Sequence, residues 1–122
     1  NLGEKMIGTQ MGTTGYIYAS DTVENGGYGE DHVIGYETGA VAVQALISGQ
    51  VDAVIIDNLP AAEYVKANPG LTTLEGTWVE EDYAIGVQKG NTELLNAVNG
   101  ALNELKADGT FQGIVDRYIT AD

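Results

Sequence analysis

The 122-residue sequence predicts a parallel, layered α/β domain. Short apolar, β-branched runs alternate along the chain with segments whose apolar residues recur at helical spacing. The run VDAVII at 51–56 is almost continuously apolar, as a strand covered by helices on both faces reads, and it is the expected centre of the sheet. Seventeen glycines against two prolines, with no repeat and no low-complexity run, act as punctuation between many short elements.

The elements follow in order. Residues 5–9, with Met6 and Ile7, make a strand; Gly12, Thr13, Thr14 and Gly15 make a tight loop; Tyr16, Ile17 and Ala19 open a helix. ENGGYGED at 24–31 has the glycines and acids of an exposed loop, and 32–36 resumes a strand. Thr38 is placed to cap a helix carrying Val41, Ala42, Ala45 and Leu46, which Gly49 ends. After the 51–56 strand, 58–68 makes a third helix stopped by Pro69 and Gly70, and 71–74 and 83–87 read as two further strands. Together these predict a flavodoxin-like sheet of order 2-1-3-4, with residues 5–75 as a self-contained core. The tail differs. Thr92 opens a helix with Leu94, Leu95, Val98, Ala101, Leu102 and Leu105 on one face, closed by Asp108 and Gly109, and a short helix follows with Phe111, Ile114, Val115 and Tyr118 on one side.

Eighteen acidic residues against five Lys and Arg give a formal charge of −13, which repels polyphosphate and removes the counterion-release drive for nucleic-acid binding. No nucleic-acid or anionic-lipid partner is expected. With no cysteine there is no thiolate metal site and no thiol catalysis, and the compartment stays open on that count. No apolar run approaches a membrane span, no signal peptide is present, and the first residue is not Met, which reads as a mature or trimmed product.

In an open parallel sheet, ligands bind beyond the carboxyl ends of the strands. That singles out Gln10, Gly12, Thr13, Thr14 and Gly15 after the first strand and Asp57 after the third. The glycines let backbone approach a ligand, and hydroxyls, amides and a helix start favour a carboxylate. Asp57 is placed to meet an ammonium group in a charge-assisted hydrogen bond. One anion site with one cation site describes an α-amino acid. Each signal also has a plain structural reading, the Gly-Thr-Thr-Gly turn as a helix cap and Asp57 as the cap of the next helix.

The order NLGEKMIGTQMGTTG, then ALISGQVDAVIID, then DYAIGVQKGNTELLNAVNGALNELKADGTFQGIVDRYI resembles the second half of the family 3 periplasmic solute-binding proteins for polar amino acids. The resemblance covers nearly the whole chain and implies the type II periplasmic-binding-protein fold, a clamshell of two α/β lobes closing over an amino acid for delivery to an ABC importer's membrane permease. It implies that Gly12, Thr13, Thr14 and Gly15 bind the α-carboxylate, that Asp57 binds the α-ammonium and that Gln10 lines the side-chain end of the pocket. Residues 1–82 then correspond to the second lobe, and 83–122 to a crossover strand and helices that return to a first lobe the chain does not contain. The tail's apolar stripe calls for that lobe or a second copy to cover it, and a homodimer is the expectation, with exchange of the tail between copies as one way of forming it. The implied location is extracytoplasmic, in the periplasm or on a cell-surface lipoprotein.

No catalytic residue, cofactor or metal is expected. His32 is expected at the surface, and Glu80, Glu81 and Asp82 lack the spaced pattern of a calcium loop. Trp78 reads as packing, and Tyr16, just after the loop, is a secondary candidate for ligand contact. Two other functions share the architecture. One is the ligand-sensing domain of a receptor or sensor kinase; the other is an enzyme resembling the cyclohexadienyl dehydratases, for which Asp57 is the one evident base.

Overall fold

In the computed structural model, which describes residues 2–119, strand β1 (Ile7–Gln10) lies between β2 (Val33–Tyr36) and β3 (Ala53–Ile55), all parallel. The register pairs Ile7 with Val33 and Ala53, and Thr9 with Gly35 and Ile55. Helix α1 (Thr14–Ser20) links β1 to β2, and α2 (Gly39–Ile47) links β2 to β3. These connections run in opposite directions across the sheet, so right-handed crossovers set the two helices on opposite faces. Helix α3 (Asn58–Ala67) follows β3. The α/β expectation holds, and the order of the three strands is the expected 2-1-3.

Side-chain alternation distributes the core. On the α1 face, Ile7, Val33 and Ala19 form a buried cluster, with Tyr16, Tyr28 and Ile55 packed around it. Ile7 is fully buried, which contributes about 1.5–3 kcal/mol. On the opposite face Gly8 has no room for a side chain without displacement, since a Cβ there would stand 3.2 Å from Tyr36 and from Val51. Helix α2 contributes buried Ala42, Val43 and Ala45. Thr38 caps it as expected, its hydroxyl accepting from the Val41 amide at 3.2 Å. Gly49 ends it with φ +77°, a conformation that costs a glycine little, and the next amide, Gln50 N–H, donates back to Ala45 O at 2.8 Å.

Two expectations about the sheet fail. The 51–56 run supplies the edge of the described sheet, and β1 takes its centre. Ala53, Val54, Ile55 and Ile56 are accordingly half-buried, whereas Ile7, Gly8 and Thr9 are buried. Strands at 71–74 and 83–87 do not form among the described residues, so the fourth position of the 2-1-3-4 order is empty beside β3. A strand is defined by a partner's hydrogen bonds, and local β-branched composition supplies none. Asp52 adds to the edge pairing in another way, its carboxylate accepting from the Met6 amide at 2.9 Å.

Residues 2–73 form one compact unit and 74–119 a second. In the second, α4 (Thr92–Ala107) is capped by Asn91, whose side-chain oxygen accepts from the Leu94 amide at 3.1 Å. Gly109, at φ +83°, turns the chain into α5 (Thr110–Tyr118), and Asp108 accepts from the Thr110 amide at 2.8 Å. That backbone hydrogen bond, reinforced by the Thr110 hydroxyl, holds the Asp108 carboxyl below its ordinary value of 3.8. Helices α4 and α5 pack on each other. No residue of 74–119 is buried, and Leu94, Leu95, Ile114 and Tyr118 are 44% to 70% exposed.

Candidate functional site

Beyond β1, the Met11 amide still donates to Tyr36 O at 2.8 Å, so the chain leaves the sheet at Gly12, where φ is +78°. Thr13 is extended and caps α1, its hydroxyl accepting from the Tyr16 amide at 3.3 Å. The same hydroxyl donates to Gln10 O at 2.8 Å. Its one hydrogen is therefore spent inside the loop, and in this conformation Thr13 has none for a ligand. The Gly15 amide, second in the helix, has no intrahelical acceptor. The loop's capacity for an anion rests on its amides.

Asp57 stands at the start of α3, where its carbonyl accepts from the Ala61 amide at 3.0 Å. Its side chain does not cap the helix, although capping is the plain structural reading of an acid in that place. The carboxylate is exposed. Gly12 and Asp57 follow strands that are hydrogen-bonded neighbours, each a few residues beyond the Thr9 to Ile55 pair, where parallel strands lie about 4.8 Å apart. Topology thus brings the six candidates to one carboxyl edge, with Gln10, Thr13 and Gly15 half-buried and Gly12, Thr14 and Asp57 exposed.

Other candidates resolve differently. A Cβ on Gly35 would stand 3.0 Å from the Tyr16 ring, and Tyr16 packs against the Ile7 cluster, so its ring is committed to the α1 face. His32, expected at the surface, is half-buried because the turn before β2 folds it inward, and its Nδ1 is enclosed without a hydrogen-bond partner. It lines a concavity of about 670 Å³ together with Tyr16, Ser20, Asp21, Glu30 and Asp31. Asp21 there accepts from the Asn25 side chain and the Thr22 amide, which together lower its pKa. Trp78 is 44% exposed. Among the described residues no group of His, Asp and Glu side chains is placed to hold a metal ion, and no helix is long and apolar enough to cross a membrane.

Residues 34–121 match the family described as bacterial extracellular solute-binding proteins, family 3. The L-cystine-binding protein TcyJ of Escherichia coli is 31% identical over 123 residues, covering 100% of this chain and 44% of the relative. The L-arginine-binding protein of Pseudomonas aeruginosa is 29% identical, over 100% of this chain and 49% of its own length. A solved structure of a mutant of ArgBP from T. maritima superposes with a TM-score of 0.76 at 32% identity, covering 96% of this chain and 48% of that one. The chain spans about half the length of these relatives. With a parallel sheet, two loops at its carboxyl edge and a family match over most of its length, the chain belongs to the bacterial extracellular solute-binding proteins, family 3.

Proposed function

We propose that the chain is the amino-acid-binding second lobe of an extracytoplasmic solute-binding protein that delivers its ligand to the membrane permease of an ABC importer. The observation that carries this reading is the juxtaposition of the Gly12 to Gly15 loop with an Asp57 carboxylate not spent on capping, at the ends of adjacent strands. The loop amides take the ligand's α-carboxylate, Asp57 its α-ammonium, and Gln10 faces its side chain. Relatives named for cystine, arginine, and lysine/arginine/ornithine support a polar amino acid as the ligand class. Residues 83–122 form the segment that returns to a first lobe, or to a second copy of this chain in a tail-swapped dimer.

The test is an NMR titration of the chain with L-arginine, L-cystine and L-glutamine at millimolar concentration. Amide shifts should move at Gly12, Thr13, Thr14, Gly15 and Asp57 for an amino acid, and less for its amide or N-acetyl derivative. Perturbations absent from this set while others respond would reject the site.

A further inference from the structure

Strand register sets two carboxylates at one level of the sheet's carboxyl edge. Thr9 of β1 is paired with Gly35 of β2 and with Ile55 of β3, and two residues beyond that row stand Glu37 and Asp57. The row faces α1, since Ile55 packs against the Ile7 cluster and a Cβ on Gly35 would meet the Tyr16 ring. By strand alternation Glu37 and Asp57 continue that face, one on each side of the Gly12 to Gly15 loop. The Met11 amide, bonded to Tyr36 O at 2.8 Å, keeps the start of the loop beside Glu37. Glu37 is exposed, and among the described residues its side chain makes no hydrogen bond or ion pair. No cation within residues 2–73 stands at this edge to balance it: their Lys and Arg side chains are Lys5, ahead of β1, and Lys66, at the far end of α3 and 3.5 Å from Glu63.

We infer that Glu37 is a specificity-determining residue that meets the far end of the ligand's side chain and selects a cationic amino acid. The inference rests on the ligand placement proposed above. With the α-carboxylate on the loop amides and the α-ammonium at Asp57, toward β3, the side chain runs past Gln10 toward β2. Glu37 adjoins that path, because Gln10 is paired with Tyr36. Strands β2 and β3 each lie one strand spacing from β1, so their backbones are about 10 Å apart, and the Asp and Glu side chains shorten the gap. A lysine or arginine side chain bridges it; that of serine or alanine does not. The loop amides meet the ligand's carboxylate with dipoles and Asp57 pairs with its ammonium, so Glu37 stays without a counter-charge unless the side chain is positive. A neutral side chain there would leave a carboxylate to be desolvated unpaired, and an acidic one would add repulsion between like charges. Both effects discriminate against such ligands.

Paired NMR titrations of the chain with L-arginine and L-citrulline test this, because citrulline keeps the shape of arginine and replaces its guanidinium by a neutral urea. The reporters are the Gly12 to Gly15 amides. Arginine should bind about two- to fivefold more tightly than citrulline, the weight of a solvent-exposed ion pair. Glu37→Gln should abolish that preference and leave citrulline affinity unchanged. Glu24→Gln removes an equal charge from the exposed turn after α1 and should keep the preference, which separates Glu37 from the general field of an acidic chain. Equal affinities in the parent, or a preference that survives Glu37→Gln or disappears with Glu24→Gln, overturns the inference while leaving the site in place. No response of the loop amides to either ligand overturns the site and the inference with it. Should Glu37→Gln fail to fold, the Glu37 carboxyl carbon shift in the parent decides: movement with arginine and none with citrulline supports the contact, and equal movement or none rejects it.

Discussion

Replacing Asp57 by alanine removes an exposed carboxylate that makes no side-chain cap on α3, and thermal unfolding run beside the titration separates its effect on binding from any effect on folding. The effect on binding depends on what surrounds the ligand's ammonium group. In the chain alone the partner carboxylate is open to solvent, so the pair contributes about 0.2–1 kcal/mol, and affinity should fall by no more than about fivefold. In a two-lobed protein carrying this lobe, closure removes water, a charged hydrogen bond contributes about 1.5–3 kcal/mol, and the loss should reach about 10- to 150-fold. NMR titration reads the first case and calorimetry the second, with thermal unfolding alongside. Unchanged affinity in the two-lobed protein at unchanged stability would refute the placement of Asp57 in the site.

Further outcomes follow from the packing. Ile7→Ala, at a fully buried position of the central strand, should cost about 2–5 kcal/mol and lower the melting temperature by about 10 °C or more, as calorimetry would show. Thr38→Ala removes the α2 cap and should cost about 0.5–2 kcal/mol, read by urea denaturation, whereas an unchanged midpoint would mean the hydroxyl contributes nothing. The folded Asp108 carboxyl lies below 3.8, so its stabilisation of the α4 to α5 turn is present above that pH and lost as pH falls through the folded value; circular dichroism should show helix loss from 74–119 setting in only below about pH 4. The exposed apolar stripe of Leu94, Leu95, Ile114 and Tyr118 should draw the chain into a homodimer, which light scattering over a dilution series would show. A monomer at every concentration, with α4 and α5 amides protected from exchange, counts against it.

Sequence alone determined the features that depend on near neighbours. Thr13, Thr38 and Asn91 cap helices because a hydroxyl or amide oxygen three residues before an amide reaches it in any tertiary setting. The three strands and five helices were legible for the same reason, and the Gly12 to Gly15 and Asp57 candidates followed from their places after two of those strands. Tertiary structure decided what depends on distant partners. The most apolar run became an edge and Gly8–Thr9 became the centre, because centrality requires a hydrogen-bonded neighbour on each side, and among the described strands β1 alone has two. It decided also that Thr13 spends its hydrogen on Gln10 and that Asp57 leaves α3 uncapped. Those outcomes are set by which atoms meet across the sheet edge, a geometry that residue type and spacing do not carry.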